Sequence, residues 1–349
     1  ISKGINLLLD NKPRYAFDDV LLEPNYSDIL SRSEIDTSQS LEGLDNLFTL
    51  PIISSPMDTV TSSKMASAMS IAGGLGIIHR YNSVAEQAKL VDEAFEFGAL
   101  EVGAAVGVTN DYLERARSLH EAGCRIICVD IAHGHHKLME MALGEIRSAL
   151  AGDIHIMAGN IATGYAVHDL IAWGADSLRV GIGGGSICKT RIETGHGVPT
   201  LHSIFECYGT DIGATLIADG GIKNSGDIVK ALAAGADFVM IGSLLAGTDE
   251  SPGDVFITED GRKRKLYRGM ASKEAQKDWR GSYSSIEGIT SSVEYKGSVE
   301  NVLLELDQGI RSGLSYSGAR TLIELRKNAA FIIQTSAAAV ESSTHINNR

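Results

Sequence analysis

Eight short apolar runs recur through the first two thirds of this 349-residue chain. They are PIISS (51–55), LGIIH (75–79), LEVGAAV (100–106), RIICVD (125–130), IHIMAGN (154–160), SLRVGIG (177–183), TLIAD (215–219) and DFVMIGS (237–243). Each is too short for an ordinary helix and shows little polar alternation, the pattern of parallel strands covered on both faces. Between them lie helical stretches such as VAEQAKLVDEAFEFG, DYLERARSLHEAG, KLMEMALGEIRSALAG, YAVHDLIAWGA and SGDIVKALAAGA, several of which stop at Gly. Eight βα units in one chain close most simply into a (β/α)8 barrel, and such a barrel takes ~250 residues as one domain. The expectation is therefore a single barrel domain over residues 1–349. The competing fold, an open doubly wound sheet, would need a G-x-G-x-x-G turn opening an apolar helix. GIGGGSIC (181–188) comes nearest, but Lys-Thr-Arg and a further loop follow it.

A net charge of −13 and a pI near 5.2 argue against broad nucleic-acid or membrane binding. No apolar stretch reaches the ~18 residues of a membrane span, and no signal peptide is recognisable. The four cysteines (Cys124, Cys128, Cys188 and Cys207) have neither zinc-finger nor disulfide-framework spacing, which fits a reducing cytoplasm. Residues 250–300 are polar, rich in Gly and Ser and weakly periodic. A connection of that length is expected to be a lid or disordered. It follows the eighth run, so it would emerge at the catalytic face. VENVLLELDQGIRSGL and ARTLIELRKNAAFII read as closing helices, and SSTHINNR as a frayed tail.

In such a barrel the chemistry gathers at the C-terminal strand ends. There the sequence places Ser54 to Thr59, Asp130, Asn160, the loop 181–191, Asp219-Gly220-Gly221 and Gly242-Ser243. Cys188 sits on a Gly-rich loop with little core to fill. Lys189 and Arg191 could favour its thiolate, a strong nucleophile. Gly183, Gly184 and Gly185 free the backbone to present amides to a phosphate or carbonyls to a monovalent cation; a tight turn is the third possibility. With Ser186 and the loops after the seventh and eighth runs, phosphate binding gains support. Asp219 would suit a ribose diol. His133 and His135 have the His-x-His spacing of two metal ligands but no good third ligand nearby, and with His136 they read as part of a loop lining the site, beside Asp130. Glu287 on the lid could exchange a proton with a hydroxyl such as that of Thr190.

These residues and FDDVLLEP (17–24), PIISSPMDTVT (51–61), GGLGIIHR (73–80), DIAHGH (130–135), GNIAT (159–163), GIGGGSICKTR (181–191), residues 218–253, YRGM (267–270) and EYKGSVE (294–300) resemble, almost end to end, the inosine monophosphate dehydrogenase / GMP reductase family. The resemblance implies that Cys188 attacks C2 of a purine nucleotide while Thr190 and Glu287 handle protons. It assigns Ser186, Gly221, Gly242, Ser243 and Tyr267 to the phosphate, Asp219 to the ribose, and Gly269 and Met270 to the base. It puts Asp130 and Asn160 on the nicotinamide side. Carbonyls of Gly183, Gly185 and Cys188 would hold potassium, and the protein would be a homotetramer.

Within the family the chain looks more like the reductases. GIIHRYNSVAEQAKLVDEA runs directly on to the third strand, without CBS modules. Arg280 and Tyr283 are not adjacent on the flap, whereas dehydrogenases carry an Arg-Tyr pair there. Glu193-Thr194-Gly195 and VEYKGS point the same way. The resemblance thus implies NADPH-dependent conversion of GMP to IMP; the alternative is an NAD-dependent IMP dehydrogenase lacking CBS modules. A catalytically silent nucleotide sensor is a third class, against which the joint presence of Cys188, Thr190 and Glu287 argues.

Overall fold

A computed structural model describes residues 12–342 except 151, 153, 211, 284 and 285. All eight runs form strands: β1 (Ile52–Ser54), β2 (Leu75–Ile78), β3 (Gly103–Val106), β4 (Ile126–Asp130), β5 (His155–Ile161), β6 (Ser177–Val180), β7 (Thr215–Asp219) and β8 (Phe238–Ile241). They pair in parallel and in order, and β8 returns to β1, which closes the barrel. Helices on the outside include α1 (Ser63–Ile71), α2 (Val84–Glu96), α3 (Tyr112–Glu121), α4 (Lys137–Ala149), α5 (Gly164–Ala172), α7 (Thr200–Tyr208) and α8 (Ser225–Ala234). A five-residue helix α6 (Thr190–Thr194) stands where the sequence suggests only loop. It is too short and polar to show a helical stripe.

Strand parity explains both cores. Ile53, Ile77, Ala105, Cys128, Met157, Ile217 and Met240 fill the barrel interior. Their sequence neighbours Ile52, Ile78, Ala104, Val129, Ala158, Ala218 and Val239 face the helices. Both faces are apolar, so each strand reads as a continuous run. Leu41 and Phe48 plug one end of the interior, Phe48 packing edge-on to Phe238 at 5.9 Å. Cys124, Cys128 and Cys207 are buried. Helix ends follow local rules. Ser83 and Glu86 cap α2 reciprocally, and Gly98 and Gly123 continue the chain at positive φ after α2 and α3.

The segment after β8 departs from the sequence reading. Its described residues form a small sheet and a helix rather than a structureless loop. Strands β9 (Phe256–Ile257), β10 (Lys263–Arg268) and β11 (Thr290–Glu294) form an antiparallel sheet, and helix α9 (Lys273–Arg280) lies between the last two. Lys265 is buried on this sheet and donates to the carbonyls of Thr248 (2.9 Å) and Ser251 (2.6 Å), which ties the flap to the loop below it. The closing helices form as α10 (Val299–Tyr316) and α11 (Leu322–Asn328), but Phe331–Ile333 is a strand that pairs with Val20–Leu22. The tail from 343 lies outside the described residues. Among the described residues no helix is long and apolar enough to cross a membrane.

The contact between α1 and β2 depends on Gly76. A Cβ there would lie 2.5 Å from the Ala66 Cα, a backbone atom that cannot swing aside. Gly76→Ala should lower the free energy of unfolding by about 1–3 kcal/mol, the usual cost of overpacking, read from urea denaturation by circular dichroism.

Candidate active site

The strand ends and the flap enclose a cavity of about 710 Å³. Every residue assigned above to catalysis, nucleotide, nicotinamide or potassium lines it, from Asp130 to Glu287. His133, His135 and His136 do not. His135 bonds Asp169 on α5 at 2.7 Å, and His136 caps α4 by accepting from the Leu138 amide. The reading of these histidines as site-lining is therefore incorrect: past Asp130 the chain turns His135 to α5 and His136 to the start of α4, and His133 is exposed. Among the described residues no cluster of three or more His, Cys, Asp or Glu is placed to hold a metal ion.

Strand parity also builds the cavity floor. Asp130, Arg179 and Asp219 continue the inward-facing positions of β4, β6 and β7 by one more step. Arg179 donates to Asp130 at 2.5 Å and to Asp219 at 2.9 Å while only 5% exposed. Burial alone would pull its pKa down, but Asp130, Cys128 and Asp219 more than offset that, and it stays well above the ordinary value. Asn160 donates from Nδ2 to the Gly181 carbonyl and to Asp219, both at 2.8 Å. Its Oδ1 is buried and has no partner among the described residues. Both bonds to Asp219 end on Oδ2, which leaves Oδ1 for a ligand.

The cysteine loop and the flap meet over this floor. The Cys188 thiol donates to Thr190 Oγ1 at 3.1 Å, and Thr190 donates to Glu287 Oε2 at 2.8 Å. Backbone bonds hold the two segments in register: Lys189 N to Glu287 O at 2.7 Å and Ile289 N to Ile187 O at 3.2 Å. A continuous proton path thus runs from sulfur to carboxylate across two elements far apart in sequence. Lys189 faces Glu193 at 3.9 Å, so its charge is shared with that acid rather than given to the thiol alone. Burial raises the Tyr267 pKa, and the Ser186 hydroxyl on the cysteine loop opposes that rise. A Cβ at Gly242 would approach Ser55 Oγ, Tyr267 Oη and Met57 Sδ to 2.9–3.2 Å, so a larger residue would fill the pocket.

Several residues at and around the site receive no role in the sequence reading. Arg179 is hidden in an apolar run; a lone charge inside such a run is the signal. Arg268 bonds Asp58 (2.6 Å) beyond β1 and Asp278 (2.5 Å) on α9. Arg80 lies 3.9 Å from Asp130. His79, directly after β2, is partly buried, and its Nδ1 accepts from the Tyr81 amide at 3.2 Å.

Fold and cavity together define a (β/α)8 barrel in which a cysteine thiol is linked through a hydroxyl to a carboxylate on the flap. Comparison with known proteins gives the same class. The family described as "IMP dehydrogenase / GMP reductase domain" matches residues 14–345. An inosine-5'-monophosphate dehydrogenase of Nitrosopumilus maritimus is 35% identical, over 97% of this chain and 99% of that protein. One from Cryptosporidium parvum is 38% identical, over 95% and 94%. A crystallised GMP reductase variant of Trypanosoma brucei, in complex with guanosine 5'-monophosphate, superposes with a TM-score of 0.90 at 31% identity, covering 96% of this chain and 98% of that one. The chain belongs to the IMP dehydrogenase / GMP reductase family, a family of nicotinamide-dependent oxidoreductases.

Burial lowers the His79 pKa from 6.5 to about 4, against the pull of Asp58. The unfolded chain therefore binds the proton that the folded chain refuses. Stability present above pH 6.5 is lost as pH falls toward 4. Going from pH 7 to 5 should cost about 2 kcal/mol from this group, and His79→Gln should flatten that slope in urea unfolding.

Proposed function

We propose that the protein catalyses NADPH-dependent reductive deamination of GMP to IMP and ammonia through a covalent adduct on Cys188. The observation that carries this is the unbroken Cys188–Thr190–Glu287 chain of hydrogen bonds. On this reading the thiol proton passes through Thr190 toward Glu287, and sulfur adds to C2 of the purine. The C2–N bond then breaks, and the amine leaves with protons returned along the same path. The nicotinamide, when bound, supplies a hydride. As C2 is reduced, the C–S bond breaks, IMP is released and the thiolate is restored. Ser186, Gly221, Gly242, Ser243 and Tyr267 hold the phosphate, Asp219 Oδ1 the ribose, and Gly269 and Met270 flank the base.

The unpartnered Oδ1 of Asn160 fits the donor face of a carboxamide, which supports nicotinamide beside Asp130 and Asn160. Three observations support reduction over oxidation. The chain runs from β2 through α2 to β3 without an inserted module. Tyr283 is exposed, with Lys273 over its ring at 4.9 Å, while Arg280 lines the cavity, so the two form no pair there. The Trypanosoma protein that it resembles over nearly its full length is a GMP reductase. A second reading, an NAD-dependent IMP dehydrogenase without CBS modules, is favoured by the Cryptosporidium relative: their 384-position alignment covers 94% of that protein.

Absorbance of the nicotinamide decides between them. GMP with NADPH should consume the reduced cofactor, and IMP with NAD should give no NADH; the reverse result establishes the dehydrogenase. Cys188→Ala should abolish turnover. Glu287→Gln should lower kcat by about 10²-fold, the lower end for a general acid–base group, with little change in KM. We also propose that the carbonyls of Gly183, Gly185 and Cys188 bind potassium. The Gly185 carbonyl accepts from Cys188 N at 3.2 Å and retains a second lone pair. Turnover should then be higher in potassium than in lithium chloride at equal ionic strength.

A further inference from the structure

The flap helix α9 touches the barrel through its last turn, and the contact is aromatic. Trp279 stacks on Tyr81, which follows β2, with ring centroids 5.6 Å apart and planes 16° from parallel. That is the offset arrangement that aromatic pairs prefer. The guanidinium of Arg115, from α3, lies 5.7 Å from the Trp279 ring centroid. Arg115 is 2% exposed and is fixed by Asp111, Gln87, Asn82 Oδ1 and the Asn82 carbonyl. It therefore presents a rigid cation to the indole face, where burial strengthens the attraction. The Tyr81 hydroxyl reaches past the stack and donates to the Met270 carbonyl at 2.5 Å. Met270 is a cavity residue, and its sulfur accepts from the Asp58 amide at 3.3 Å. Next to Trp279, Asp278 binds Arg268, which binds Asp58. One helical turn is thus held by an ion chain on one side and by a cation-backed aromatic stack on the other.

We propose that Tyr81 and Trp279 form a clasp that positions the flap for catalysis. Tyr81 does two jobs. Its ring holds α9 down, and its hydroxyl fixes the Met270 carbonyl at the cavity wall. Both act through the segment 270–287, which starts at Met270, passes through α9 and ends at Glu287. Because Glu287 N donates to the Ala271 carbonyl at 3.2 Å, the seat of Met270 and the seat of the acid are linked through one backbone bond. Neither residue of the stack donates or accepts the proton of the reaction. They are positioning residues, and their loss should change how often the acid is in place more than how substrate binds. The inference rests on the proposed role of Glu287 only for its kinetic arm; the spectroscopic arm stands alone.

Trp279 is its own reporter, since the chain has two tryptophans and the other, Trp173, is the C-cap of α5. In a Trp173→Phe background, Tyr81→Ala should shift Trp279 emission to the red and raise its acrylamide quenching at least twofold. It should lower kcat by about tenfold, a magnitude set by one stacking interaction, with a smaller change in nucleotide KM. Tyr81→Phe keeps the ring and loses only the hydroxyl. It should keep the emission of the parent and lose about threefold in kcat, which separates the clasp from misfolding. Unchanged Trp279 emission and quenching in Tyr81→Ala would overturn the clasp. So would a red-shifted Trp279 with undiminished kcat, since the flap would then be free and still active. If the enzyme oxidises IMP instead of reducing GMP, the kinetic arm is run in that direction, and the fluorescence result still decides the proposal.

Discussion

The site is organised around one buried cation. Arg179 points into the barrel because it occupies an inward position of β6, and it is only 5% exposed. An isolated guanidinium there would cost several kcal/mol, and only close carboxylates repay it. Asp130 from β4 and Asp219 from β7 supply them at 2.5 and 2.9 Å. Asn160 from β5 then bonds the same Asp219 oxygen. Four strand ends are thereby fixed relative to one another before any ligand arrives. Removing either carboxylate would leave charge stranded, so the arrangement behaves as a unit. Its effect on function is indirect but specific: the bonds on Asp219 Oδ2 aim Oδ1, and the bonds on Asn160 Nδ2 aim its unpartnered oxygen.

The other half of the site is built differently. Its floor is rigid because it is inside a closed sheet, whereas the acid Glu287 arrives on a segment that touches the barrel at a few places. Two backbone bonds zip the flap to the cysteine loop, Arg268 holds α9 to Asp58, and Lys265 pins β10 below. These contacts are separate polar bonds rather than a shared apolar core. A segment held this way can open without unfolding the barrel, which a route for nucleotide and cofactor into the cavity requires.

What could be read in the sequence follows from the same contrast. The eight barrel strands are legible because both of their faces are apolar, and the active-site loops are legible because strand ends carry Gly, Asp, Ser and Cys where a core would carry Val or Ile. The flap sheet is not legible because its buried positions on β10 are Lys265 and Tyr267, with charged Lys263, Arg264 and Arg268 around them. Its alternation is real in burial and absent in hydropathy. Arg179 hides in the opposite way, a charge inside a run whose neighbours are Leu178 and Val180. His133 to His136 mislead because three histidines beside Asp130 suggest a shared surface, while the turn into α4 sends them outward. The Tyr81–Trp279 contact joins positions about two hundred residues apart, and no local pattern announces it.

Chemistry gives a reason for dividing the site between a rigid floor and a fastened flap. The proposed adduct at C2 is electrophilic, and two nucleophiles compete for it. A hydride reduces it to IMP; a water molecule would hydrolyse it to the oxidised purine. A reductase must therefore keep the proton path that activates the thiol without offering the same path to water. In this chain the Thr190 hydroxyl is occupied on both sides, accepting from Cys188 and donating to Glu287. Tyr283 is turned to solvent, and Arg280 reaches the cavity without it. With the flap bonded to the cysteine loop, Arg280 and Tyr283 do not come together at the cavity as a pair. The same carboxylate can then serve both departure of the amine and recovery of the thiolate, provided that the flap stays down between the two steps.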